Sequence, residues 1–169
     1  MTHLTRLNEL PPAEAERELL TCCGSREWAR RVAGCRPYAD AADLMENADG
    51  VWRALDEADW REAFRAHPRI GEKKADAGQT DREKAWSAGE QAGMDAAAAQ
   101  TQQALAEGNR RYEERFGYIY IVCATGRTAD EMLNLLTERL SNDPAAEILV
   151  AAEEQRKITR IRLEKLLSD

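Results

Sequence analysis

Residues 144–169, "PAAEILVAAEEQRKITRIRLEKLLSD", read as one long helix. Asp143 and Pro144 begin it, because proline at a first helical position gives up no hydrogen bond and already has a helical φ. Ile158, Arg162 and Leu166 are four residues apart and therefore share one face of that helix. The stretch predicts a helix whose apolar stripe is interrupted by one arginine.

The rest of the chain has the same helical character. Hydrophobic residues make up 43% and charged residues 33%, and the many Ala, Glu, Leu and Arg residues favour helix. Further helix starts are predicted wherever proline or a capping residue precedes apolar residues at three-or-four spacing. We therefore predict an all-α fold, a single-domain bundle of about seven to nine helices spanning residues 1–169. The predicted starts are Pro11–Pro12, Ser25, Asp40, Asp56, Ser87 and Thr128.

One short segment departs from this pattern. Residues 118–123, "YIYIVC", are aromatic or β-branched and lie between Gly117 and Gly126, which favours an extended backbone. No second strand is predicted to pair with the segment, so its N–H and C=O groups need other partners. A bound ligand can be one of them.

Charge and composition exclude several classes of protein. The net charge of −7 and the pI near 5.1 argue against a nucleic-acid partner. No apolar run approaches the roughly 20 residues of a membrane span, and "MTHLTRLNEL" lacks the apolar core of a signal peptide. We expect a cytoplasmic protein without a membrane partner. We also expect the first residues, including His3, to be mobile. Cys22, Cys23, Cys35 and Cys123 have no metal-ligand spacing, so no metal is predicted.

His67 is a candidate general acid or base. It continues the apolar face of Trp60 and Phe64, and Pro68 disfavours helical geometry at the residue before it. The helix should therefore end near His67, where the negative end of the helix dipole favours imidazolium. The alternative is a hydrogen-bonded core histidine, and spacing alone does not choose between the two.

Two further charged residues allow a structural and a functional interpretation. Ser87 and Glu90 fit an S-x-x-E capping box, while the same helix start would suit a polar or anionic ligand. Arg162 is either an arginine whose head reaches water or a guanidinium held in a pocket for a substrate carboxylate.

Four stretches, taken in this order, resemble the 2-oxo-4-hydroxy-4-carboxy-5-ureidoimidazoline (OHCU) decarboxylases of urate breakdown. They cover most of the chain after Phe64. The stretches are "HPRIGEK" (67–73), "SAGEQAGM" (87–94), "NRRYEERFGYIYIVCATG" (109–126) and "RLSNDPAAEILVAAEEQRKITRIRLEKL" (139–166).

The resemblance implies an all-α homodimer that decarboxylates OHCU to S-(+)-allantoin without a cofactor. It implies that His67 is the proton donor and that Glu90 and Arg162 orient the substrate. The substrate-binding residues that it implies are Pro68, Ser87, Gln91, Ile119, Tyr120, Ile121, Val122 and Cys123.

This chain departs from the commoner family pattern at two places. Arg69 stands where an acidic residue usually follows the His-Pro pair, and "YIYIVCATG" replaces the frequent "GFPFIICARG" type. Two other interpretations stay open: a helical interaction module without catalysis, and an enzyme acting on a related ureido compound. Alanine at His67, Glu90 or Arg162 would abolish turnover in an enzyme, and would alter only stability or partner affinity in a module.

Overall fold

The computed structural model describes residues 1–70, 82, 85–86 and 99–168. These ranges contain α-helices and no β-strand, which confirms the all-α prediction for them. The helices are α1 (His3–Glu9), α2 (Pro12–Leu20), α3 (Arg26–Gly34), α4 (Ala41–Ala54), α5 (Glu57–Arg65), α6 (Ala99–Phe116), α7 (Ala129–Leu140) and α8 (Pro144–Ser168).

Local capping chemistry determines where several helices begin. Ser25 Oγ accepts from the N–H of Trp28 at 3.2 Å, and Asp40 Oδ1 accepts from the N–H of Asp43 at 2.9 Å. Thr128 and Glu131 form a reciprocal capping box at the start of α7. The predicted caps at Ser25, Asp40 and Thr128 are therefore confirmed, as is the start of α8 at Pro144.

One sequence-based expectation needs adjustment. The first residues were expected to be mobile, but Thr2 caps a regular helix there and its hydroxyl accepts from the N–H of Thr5 at 3.1 Å. Helix α4 runs without a break through Gly50. The start of the helix predicted from Ser87 lies outside the described residues; the described part runs from Ala99 and ends before Gly117, whose φ of 81° suits glycine.

The chain divides into two compact units, and the first comprises Met1–Ala63 and Arg156–Asp169. Helix α3 packs against both α2 and α4. The Trp28 indole N–H, fully buried, donates to the carbonyl of Ala48 at 3.1 Å. Asp49 accepts from Arg156 at 3.1 Å and from Arg160 at 2.9 Å, so the second half of α8 is tied to α4.

The second unit comprises Phe64–Gln155. Its helices α6 and α7 pack closely because Gly108 has no side chain: a Cβ there would lie 2.5 Å from Leu136 Cδ2. Buried aromatic rings fill the space beside α6, with centroids of neighbouring rings 4.6 to 6.3 Å apart. These rings are Phe64, Tyr112, Phe116, Tyr118 and Tyr120.

The prediction of a single domain over residues 1–169 stays a prediction.

Within the described ranges, no helix is both long and apolar enough to cross a membrane.

Candidate functional site

His67 occupies the turn that follows α5. The helix ends at Arg65, and the His67 N–H closes the turn by donating to the carbonyl of Phe64 at 3.1 Å. The prediction that the helix ends just before Pro68 is therefore confirmed. His67 is 9% exposed and Pro68 is half-buried, so the imidazole is largely shielded from water.

One partner of the His67 imidazole is an amide on α8. His67 Nε2 lies 2.6 Å from Gln155 Oε1, and Gln155 is 0% exposed. The two residues are 88 positions apart in sequence, and both belong to the second unit. A buried polar group is held in place by such a bond, because breaking it would leave both partners without water to replace it.

Side chains hold the extended segment from two directions. Arg139 Nη1 donates to the carbonyl of Ile121 at 2.5 Å, and Glu154 Oε1 accepts from the N–H of Cys123 at 3.3 Å. The segment has no strand partner in the described residues, as predicted. Residues 120–123 are buried and Ile119 is half-buried. The carbonyl of Ile121 and the N–H of Cys123 therefore have charged side chains as partners, whereas the sequence had suggested a ligand as one possible partner.

Arg139 itself belongs to a buried charged network. It pairs with Glu147 at 2.5 Å, and the Tyr112 hydroxyl donates to the same carboxylate. Burial alone would lower the pKa of Arg139, but the hydrogen bond that it donates to Glu147 and the nearby phenols outweigh this effect, and the pKa is raised. Burial raises the pKa of Tyr112. The network is thus an arginine cation and a carboxylate, mutually neutralised inside the protein, and it fixes one carbonyl of the extended segment.

Arg162 lies in the first unit and is 7% exposed. Ile158 and Leu166 on the same face are buried as well, so the predicted stripe is confirmed and the head of Arg162 does not extend into bulk water. Burial raises the pKa of the nearby Cys23 thiol to about 11, and the positive charge of Arg162 opposes that rise. A guanidinium held in a poorly hydrated place binds an anion more strongly than an exposed one.

Three predicted site residues cannot be placed. Ser87, Glu90 and Gln91 lie outside the described residues, as does the capping box predicted for the first two.

The sequence pattern missed the polar partners on α8. Glu147, Glu154 and Gln155 are all buried, and their i, i+7, i+8 spacing puts them on one helix face. These three residues and Ala151 form the N-terminal part of a buried stripe, and Ile158 and Arg162 belong to its C-terminal part. The available signal was a polar residue at a position of an apolar stripe. In the sequence analysis, this signal was used only for Arg162.

The described residues hold no group of three or more His, Cys, Asp or Glu side chains arranged to bind a metal ion. All four cysteines are described, and each is a thiol.

Two solved structures share the fold of this chain. A crystal structure of OHCU decarboxylase in the presence of (S)-allantoin is 38% identical, with a TM-score of 0.74, and the match covers 90% of this chain and 98% of that one. A crystal structure of (S)-allantoin synthase, 17% identical with a TM-score of 0.70, shows similarity of fold alone; that match covers 97% of this chain and 54% of the other.

Residues 8–164 match the family model of OHCU decarboxylase, and the chain belongs to that family. The Arabidopsis thaliana uric acid degradation bifunctional protein TTL is 38% identical over 154 residues, which are 91% of this chain and 48% of that protein. The OHCU decarboxylase of Amia calva is 33% identical over 82% of this chain and 79% of its own. This chain therefore spans about half the length of the Arabidopsis relative.

Proposed function

We propose that this chain decarboxylates OHCU to S-(+)-allantoin. The observation that carries the proposal is the similarity to an OHCU decarboxylase crystallised in the presence of (S)-allantoin. The two chains are 38% identical, and the match covers 98% of that decarboxylase. The family match over residues 8–164 supports the same reaction class, a carboxy-lyase of urate degradation acting on a small molecule.

The reaction itself asks for little beyond positioned polar groups. Breaking the bond to the carboxylate releases CO₂ and leaves an electron pair on the ring, where it delocalises as an enolate. Protonation of one face of the ring then sets the S configuration. An enzyme accelerates these steps by orienting the carboxylate, stabilising the oxyanion and supplying one proton. No step requires a cofactor to accept the electron pair.

His67 is proposed as the proton donor. It follows the end of α5, and its shielding from water limits exchange of the proton with solvent. Its ring is held by Gln155 at 2.6 Å, so its orientation is fixed before substrate arrives.

Arg162 and Glu90 are proposed to orient the substrate. Arg162 is a buried cation suited to a carboxylate, and the low local hydration strengthens such a pair. Backbone groups of residues 119–123 are proposed to complete the binding site, together with Pro68, Ser87 and Gln91. Because Glu154 already accepts from the Cys123 N–H, that group would have to be shared with a ligand.

The test is the configuration of the product. OHCU is generated from urate with urate oxidase and hydroxyisourate hydrolase, and the product is resolved by chiral chromatography with and without this protein. We expect S-allantoin in excess and a rate well above the spontaneous one. Racemic allantoin formed at the spontaneous rate would contradict the proposal and favour the interaction module. A different product from the same mixture would favour an enzyme acting on a related ureido compound.

The homodimer and the cytoplasmic location stay predictions. Light scattering coupled to size-exclusion chromatography measures the oligomeric state directly, and a mass of one chain would contradict the dimer.

A further inference from the structure

The His67 imidazole has a hydrogen-bond partner whose chemistry determines whether one of the two ring nitrogens carries hydrogen. Gln155 Oε1, 2.6 Å from His67 Nε2, is a carbonyl oxygen and carries no hydrogen. A hydrogen bond at this distance therefore needs the proton on Nε2. The amide is fully buried, so water does not compete for its oxygen.

We infer that Gln155 is a positioning residue for His67: it holds the Nε2–H tautomer and leaves Nδ1 as the nitrogen that gains and loses the catalytic proton. The role of Nδ1 in proton transfer rests on the proposed function. The tautomer itself follows from the contact between the two side chains.

The arrangement makes proton transfer simple. In imidazolium both nitrogens carry hydrogen, and Gln155 accepts from Nε2. When the Nδ1–H bond breaks, the enolate's electron pair forms the new C–H bond and the ring is left as the neutral Nε2–H form. That form already has its hydrogen bond to Gln155, so no side chain has to move after the transfer.

An amide suits this role better than a carboxylate. A carboxylate at the same place would stabilise imidazolium by charge as well as by hydrogen bonding and would hold the proton more tightly. A neutral acceptor orients the ring while leaving the proton available to a carbanion. Gln155 therefore orients the ring without adding a negative charge beside it.

The chain permits a direct measurement of the tautomer because it contains only two histidines, His3 and His67. His3 is exposed, and His3→Asn leaves a single imidazole. Long-range ¹H–¹⁵N correlation spectra of this variant, recorded where the ring is neutral, distinguish protonated from unprotonated nitrogen. They separate Nε2 from Nδ1 by their couplings to the ring hydrogens. We expect hydrogen on Nε2; a ring protonated mainly on Nδ1 overturns the inference.

Gln155→Met in the same background removes the acceptor while keeping the side-chain length. We expect the preference for the Nε2–H tautomer to be lost, kcat to fall about 10-fold or more and KM to change less than about twofold. Gln103→Met is the matched control, since Gln103 is an exposed glutamine on α6, and both quantities should stay unchanged. An unchanged tautomer and an unchanged kcat in Gln155→Met overturn the inference.

The two proposals fail separately. If the unmodified chain gives no S-allantoin excess, the proposed function fails, and the tautomer of His67 still decides whether Gln155 positions the ring. If Gln155→Met does not fold, the spectrum of the His3→Asn variant alone supports or overturns the inference.

Discussion

Arg139 reaches from α7 to the extended segment and donates a hydrogen bond to the main-chain carbonyl of Ile121 at 2.5 Å. The same guanidinium neutralises Glu147, which is 0% exposed. One buried side chain thus satisfies a backbone group that has no strand partner among the described residues and a carboxylate that is shielded from bulk water.

Replacing Arg139 with methionine should destabilise the protein severely. The change leaves the Glu147 carboxylate buried beside Tyr112 without its cation, and such losses cost about 3–5 kcal/mol. Urea unfolding followed by circular dichroism gives the change in the free energy of unfolding. Arg110→Met is the control: Arg110 pairs with Glu107 and Glu114 on the exposed face of α6, where solvent screens the pairs and little change in stability is expected. Equal losses at Arg139 and Arg110 would show that the buried network contributes nothing special.

Two glycines inside helices should respond to alanine in opposite ways. At Gly108 a Cβ would lie 2.5 Å from Leu136 Cδ2 and 3.2 Å from its Cγ, so Leu136 must shift. We expect Gly108→Ala to cost about 1–3 kcal/mol despite the better helix propensity of alanine. At Gly50 nothing lies within 4 Å of a Cβ, and Gly50→Ala should stabilise by about 0.5–1 kcal/mol. Thermal unfolding of both variants measures the difference, and a stabilised Gly108→Ala would mean that α6 and α7 are less tightly packed there.

Local signals in the sequence were sufficient for most of the described helices. Ser25, Asp40 and Thr128 cap because their side-chain oxygens reach N–H groups three residues on, a relation visible in the sequence. Pro68 ends α5 for an equally local steric reason. The helix at His3–Glu9 was missed, although Thr2 is an ordinary cap.

The partners of the candidate site were not accessible in the same way. His67 and Gln155 are 88 residues apart, and Arg139 and Ile121 are 18 apart. Such pairs depend on how helices pack, which periodicity does not specify. The sequence pattern and the resemblance both drew attention to His67 and Arg162, but not to the residues that hold the imidazole and the extended segment. Ser87, Glu90 and Gln91 remain predicted site residues outside the described part.

The four cysteines should differ sharply in reactivity. Cys35 is exposed, whereas Cys23 is buried and its thiol pKa is raised to about 11. At pH 8, three units below that value, about one thousandth of Cys23 is thiolate, and the thiolate is the reactive form. A thiol-reactive disulfide reagent added to the folded protein should therefore show one fast equivalent, which Cys35→Ser removes. A fast phase that survives this substitution would contradict the burial of the other three.

Arg162→Lys should affect substrate more than product. OHCU carries the carboxylate proposed to pair with Arg162, whereas allantoin has lost it. We expect kcat/KM for OHCU to fall by about 10²-fold, while inhibition by S-allantoin changes much less. Thermal unfolding checks that the buried site tolerates lysine. Parallel losses for OHCU and S-allantoin would show that Arg162 does not recognise the carboxylate.

The proton donor can be tested with the two histidines of this chain as a matched pair. His67→Asn and His3→Asn are compared for the initial rate of S-allantoin formation from freshly generated OHCU. His67→Asn should lose about 10²- to 10⁴-fold while unfolding at a similar temperature, and His3→Asn should match the unmodified chain. A folded His67→Asn variant that still forms S-allantoin at the normal rate would contradict the assignment of the proton to this imidazole.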